Sequence, residues 1–186
     1  TTLTVTVNEI SAITVGNDLT FEADSRYDVN LNFSGAVGVS ERLDTTGASS
    51  EWAFRSNAAG KIATLALDDD GSGGPLTGKT FVIGLLGLGA IMTVDGQVVP
   101  DGTILGVYSA QDGPTGIMPI NVSLLPSSFA NGSYRVSLQG TNLQLEYSPS
   151  TPFAPVPEPV AVLAVAAAGL GFVAARRRRV TPAADP

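Results

Sequence analysis

Tyr27-Asp28-Val29-Asn30-Leu31-Asn32-Phe33 decides the fold class. Apolar side chains take every second position, and polar ones fill the gaps. An extended chain points successive side chains to opposite faces. The stretch therefore gives Tyr27, Val29, Leu31 and Phe33 to a core and Asp28, Asn30 and Asn32 to water. In a helix the same residues would scatter their apolar groups around the cylinder.

The period of two continues on both sides. Residues 3–7 place Leu3, Val5 and Val7 on one face, and shorter runs follow at 13–15 and 19–21. Downstream, strands are predicted at 52–54, 62–67, 103–108, 120–124, 134–138 and 143–147. Residues 81–88 are nearly all apolar, as in a strand covered on both faces. Residues 92–99 read as a hairpin on Asp95-Gly96. Gly16-Asn17, Ser34-Gly35, Asp101-Gly102, Asp112-Gly113-Pro114 and Asn131-Gly132 punctuate the runs as turns. Single helical turns are expected around 44–51 and 125–130, and no internal repeat is visible. Residues 1–148 thus read as an all-β domain, a single immunoglobulin-like or jelly-roll β-sandwich.

Composition narrows the chemistry. The chain has no Cys and no His. Thiol chemistry and histidine-dependent nucleophilic or zinc chemistry are therefore excluded. Before residue 156, six basic residues face fifteen acidic ones, a net of −9, so nucleic acid is not an expected partner.

Asp68-Asp69-Asp70-Gly71-Ser72-Gly73-Gly74 is the densest polar cluster. Three adjacent carboxylates repel one another, and calcium, which takes six to eight oxygens, would relieve them. An EF-hand spacing from Asp68 fails, because Lys79 stands where a bidentate Glu belongs. A solvated acidic turn is the competing reading, and no other cofactor is expected. Glu9, Glu22, Glu41, Glu51 and Glu146 lie in no recognisable catalytic context, so no enzyme is expected. Trp52, Tyr27, Tyr108, Tyr134 and Tyr147 are the candidates for a sugar-stacking platform, with core packing as the alternative. Gly84-Leu85-Leu86-Gly87-Leu88-Gly89 lacks a phosphate-loop spacing; its glycines suit a bulge or a close backbone approach.

The C-terminus has a different grammar. Residues 149–159 form a Pro-rich linker ending in Val156-Pro157-Glu158-Pro159. Residues 160–175 carry no charge, and residues 176–186 open with Arg176-Arg177-Arg178-Arg179. As a helix, the apolar run would span about 24 Å at 1.5 Å per residue. That is short against a hydrocarbon core of about 30 Å, a mismatch that snorkelling arginines can cover. The arginines should remain cytoplasmic, with everything before the run on the far side.

The Val-Pro-Glu-Pro motif, apolar run and Arg cluster together resemble the PEP-CTERM sorting signal of exported bacterial proteins. That resemblance covers residues 156–179. It implies recognition by an exosortase-type membrane enzyme, transient anchoring in the inner membrane, and delivery to the cell surface or medium. A loose similarity also links residues 3–7, 13–15, the strands around Phe21 and Tyr27, and 132–138 to filament-forming fimbrial β-sandwich subunits. In such subunits an N-terminal strand, here Leu3, Val5 and Val7, completes the sheet of a neighbouring copy; the alternative is an ordinary first strand paired in its own sheet. The expectation is an exported structural or adhesive protein of the surface or matrix, tied to biofilm or exopolysaccharide. Its partners would be further copies of itself or surface polysaccharide. The alternative is a surface-anchored carbohydrate-binding module.

Overall fold

The computed structural model describes residues 12–34, 38–71 and 77–156. The chain divides into two units after Val156. Among the described residues the first unit is mostly β, with a single helical turn, and its chain winds past three sheets in a fixed order.

The first turn lays down β1 (Ala12–Val15), β2 (Leu19–Phe21) and β3 (Arg26–Asn32), one strand in each sheet. After the short β4 (Val39–Ser40), the second turn repeats the circuit with β5 (Arg42–Thr45), β6 (Glu51–Phe54) and β7 (Thr64–Asp69). Each second-turn strand lies parallel to its first-turn equivalent: Ala12 opposite Arg42, Leu19 opposite Trp52, Arg26 opposite Thr64. The third turn adds β8 (Lys79–Leu85) beside β5 and β9 (Ile91–Val94) beside β6, again in parallel. It reaches the third sheet only at β13 (Ile120–Leu124), parallel to β7.

Between β9 and β13 the chain makes an excursion. β10 (Gln97–Val98) folds back on β9, and β11 (Ile104–Ser109) and β12 (Gly113–Gly116) form an antiparallel pair. A single helical turn, α1 (Ser127–Ala130), leads to the hairpin of β14 (Ser133–Gln139) and β15 (Asn142–Ser148). This hairpin extends the first sheet beyond β8, giving the order β1-β5-β8-β15-β14-β11-β12. The second sheet runs β10-β9-β6-β2 and the third β13-β7-β3-β4.

The all-β expectation holds. The wiring differs from an immunoglobulin-like or jelly-roll sandwich, in which neighbouring strands run antiparallel. Here the parallel pairs β1-β5-β8, β2-β6-β9 and β3-β7-β13 carry one winding through three sheets. Parallel neighbours need long returns, and the intervening strands of the other two sheets supply them.

The inward faces meet in one core. Val29, Leu31, Leu65 and Leu67 come from the third sheet, Trp52, Phe54 and Met92 from the second, and Phe81, Ile83, Leu143 and Leu145 from the first. Each such side chain contributes about 1.5–3 kcal/mol by leaving water. Polar links cross between sheets: the Trp52 indole N–H donates to Thr45 Oγ1 at 2.9 Å, the Tyr27 hydroxyl to the Ile83 carbonyl, and the Ser40 hydroxyl to the Val82 carbonyl at 3.1 Å. Phe33 stacks on Phe129, centroids 4.1 Å apart, so α1 closes one end of the core.

Several local readings stand. The Tyr27 stretch is β3, and the Asp95-Gly96 hairpin forms with both residues at positive φ (50° and 75°), as a type I′ turn requires. The turn predicted near 125–130 is α1. The turn expected around 44–51 forms between β5 and β6, closed by the Ser50 N–H on the Gly47 carbonyl at 3.2 Å, but it is not helical, since Ser49 has a φ of 65°. β5 offers only Leu43 as an aliphatic, so its sequence pattern is faint. Parallel neighbours on both sides hold it extended, and Arg42 pairs with Asp44 on one face through Nε–Oδ1 (2.7 Å) and the second guanidinium arm (2.8 Å). Asp112-Gly113-Pro114, read as a turn, leads directly into the edge strand β12.

Candidate functional site

The three aspartates sit at the end of β7. Alternation puts Asp69 on the inward face with Leu65 and Leu67, and Asp68 and Asp70 on the opposite face. The Asp70 carboxylate accepts a hydrogen bond from Asn32 Nδ2 at 2.8 Å, and Asp68 Oδ1 accepts one from the Asp69 N–H. Burial, and then repulsion from Asp70, raises the pKa of Asp69 above the ordinary carboxylate value. Among the described residues, no three acidic groups are gathered as a cation would need. The pleat itself divides them.

A shallow groove of about 430 Å³ lies over the outer face of the second sheet. Its floor is Thr20, Ala53 and Thr93, which stand in register, one from each turn of the winding. Their small side chains leave the depression. Glu51 and Asp18 rim one end, Arg55 and Asp95 the other. The carboxylates are held: Glu51 Oε1 accepts from the Thr93 hydroxyl at 2.5 Å, and Asp18 Oδ1 from the Glu51 N–H at 2.8 Å. The Ser56 hydroxyl and N–H both donate to Asp95, and with Arg55 nearby they lower its pKa. The groove therefore offers fixed acceptors, hydroxyls and one guanidinium, a set that can hydrogen-bond a hydroxylated ligand. Glu51 lies on this sheet, whereas Glu41 accepts from the Asn30 N–H at the edge of the third. The structure does not bring Glu41, Glu51 and the Asp68 cluster together.

Three of the five aromatic candidates are core residues, and Tyr27 and Tyr108 are partly buried against the same core. Trp52 and Tyr134 have no exposed surface, and Tyr147 is buried. Burial raises the pKa of Tyr27, Tyr134 and Tyr147. The close-approach reading of the glycine run is borne out at Gly84: a Cβ there would lie 2.6 Å from Trp52 Cη2.

A second arrangement was not read from the sequence. Residues 149–156, expected as a spacer, lie against the antiparallel extension of the first sheet. The Thr151 N–H donates to Ser148 Oγ (3.1 Å), the Phe153 N–H to Ser133 Oγ (2.9 Å) and the Val156 N–H to Thr115 Oγ1 (3.1 Å). The Arg135 guanidinium covers the Phe153 ring, 4.7 Å from its centroid, and is itself paired with Glu146 across the β14–β15 ladder. A lone Phe among prolines was the one sequence signal for this seat.

Leu3, Val5, Val7, Pro157, Glu158, Pro159, Arg176, Arg177, Arg178, Arg179 and the apolar run lie outside the described residues. Among those described, no helix is long and apolar enough to cross a membrane. The chain matches no known family model, curated protein or solved structure.

Proposed function

We propose that this is an exported, non-catalytic structural or adhesive protein of the bacterial cell surface or extracellular matrix, released or re-attached through its C-terminal tail. The observation that carries the reading is a coincidence of boundaries: the compact β unit closes at Val156, where the tail resembling a sorting signal begins. The unit is a well-cored, acidic body suited to be cargo. An exosortase-type enzyme would act at Val156-Pro157-Glu158-Pro159, with residues 160–175 in the inner membrane beforehand. Replacing Pro157-Glu158-Pro159 by alanines should leave the protein in the inner membrane at full mass. Normal release of that variant, read by intact mass in the medium, would refute the sorting role.

Within this class, assembly of copies by donation of the Leu3-Val5-Val7 strand is supported by the edge position of β1. Among the described residues that strand ends the first sheet, and Ile13 is 40% exposed. Deleting residues 1–7 should then abolish a ladder of oligomers on a native gel. The groove over the second sheet favours a second reading, binding of surface polysaccharide through hydrogen bonds and without ring stacking. A glycan array with no hits would remove it.

A further inference from the structure

The geometry points to residues 149–156 as a releasable latch on processing: while the strap is seated on the first sheet, the residues a peptidase must grip ahead of Pro157 are withheld. This rests on reading Val156-Pro157-Glu158-Pro159 as a processed motif. The strap has five N–H groups, because Pro149, Pro152 and Pro155 have none. Those of Thr151, Phe153 and Val156 donate to the β unit. All three acceptors are side-chain hydroxyls, not main-chain carbonyls. The strap is therefore not another strand locked into the ladder, and it can leave without breaking a sheet.

The seat is also built rather than incidental. Ser133 is buried and bridges two elements: its Oγ donates to the Tyr108 carbonyl at 3.0 Å while accepting from Phe153. Arg135 is aimed at the ring by Glu146. Beyond Phe153 lies an open hollow of about 440 Å³ lined by Gly38, Lys79, Thr80 and Tyr147. Peptidases bind substrate as an extended strand on both sides of the cut. With the strap seated, the chain ahead of Pro157 is held at two points, Phe153 on Ser133 and Val156 on Thr115, with Ala154 and Pro155 exposed between them. Release frees eight more residues of tether, which fully extended reach roughly 27 Å further. Docking thus couples the accessibility of the motif to the fold of the β unit: an unfolded or strained unit is cut early, a settled one slowly.

The test uses the full-length protein and two variants outside the core, Arg135→Gln and Thr115→Val. Hydrogen exchange at the Phe153 and Val156 amides reads the seat. Added thermolysin, cutting before Phe153, reads access without any sorting enzyme, and intact mass over time in producing cells reads tail removal. Each variant should speed exchange and thermolysin cleavage about tenfold, the worth of one such contact, and should speed tail removal. Wild-type amides at 153 and 156 exchanging at the rate of open coil would overturn the seat. Faster exchange in the variants with an unchanged rate of tail removal would overturn the latch and leave the sorting role standing. Failure of the sorting role shows separately, as normal release of the Pro157-Glu158-Pro159 alanine variant.

Discussion

Gly84→Ala tests how the first and second sheets interlock. Gly84 lies in β8, and an added Cβ would sit 2.6 Å from Trp52 Cη2, 3.0 Å from Cζ3 and 3.2 Å from Leu143 Cβ. The indole cannot swing aside. It is fully buried, its N–H is held by Thr45, and Phe21 packs on it at 5.8 Å. Overpacking of this kind costs about 1–3 kcal/mol, and a pinned ring belongs at the upper end. The alanine also restricts the unfolded chain, which offsets ~0.4–1 kcal/mol. The net loss should be about 2 kcal/mol, or roughly 4–8 °C in Tm for a unit of this size. Trp52→Phe removes the offending atoms. Alone it should cost ~2 kcal/mol through the space it leaves, while the Thr45 hydroxyl still accepts from the Gly87 N–H at 3.2 Å. The double variant should be more stable than the two losses predict by at least ~1 kcal/mol, because the new methyl group then fills room that the smaller ring vacates. Urea unfolding followed by far-UV circular dichroism is the assay, since Trp52 is the single tryptophan. A neutral Gly84→Ala, or strict additivity in the cycle, would refute the interlock.

Two predictions concern pH. Asp69 is pushed up by burial and by Asp70, so the folded state holds its proton above the pH at which the unfolded chain releases it; stability is therefore lost as pH rises through that window. Asp69→Asn should be more stable than wild type at pH 7, with the gain shrinking as pH falls through the raised value and gone below about pH 4; equal urea midpoints at pH 7 would count against it. Tyr27, Tyr134 and Tyr147 all have raised pKa values, so stability should hold up to about pH 10 and fall beyond it, where only the unfolded chain ionises. Tyrosinate absorbance from the folded protein growing in near pH 10 for all four tyrosines would contradict this.

The strands were legible because each obeys a local rule. β3, β6, β13, β14 and β15 alternate, and the Asp95-Gly96 turn announces its own geometry. The winding was not legible, because strand direction leaves no local trace and the turns are unequal. Ala12 is paired 30 residues on, Leu19 33 on and Arg26 38 on. From the second turn to the third, the offset is 40 at Trp52 but 55 at Leu65. A scan at fixed period finds nothing in such a series. The groove stayed hidden for the same reason: Thr20, Ala53 and Thr93 become neighbours only once the offsets are known. The aspartate cluster was visible as a sequence, yet the pleat that parts Asp69 from its neighbours could be applied only once β7 was known to continue through Asp69. The strap seat depends on Ser133, Arg135 and Thr115, ordinary strand residues until the chain returns to them.

The uneven spacing has a practical corollary. The scaffold has already accepted segments of quite different length at its corners while keeping Trp52 opposite Met92 and Leu65 opposite Ile120, so its fidelity resides in the walls and its tolerance in the vertices. A foreign peptide spliced at the vertex after Gly87, where Leu88 already stands 90% in solvent, should be carried as passenger without rewriting the interior.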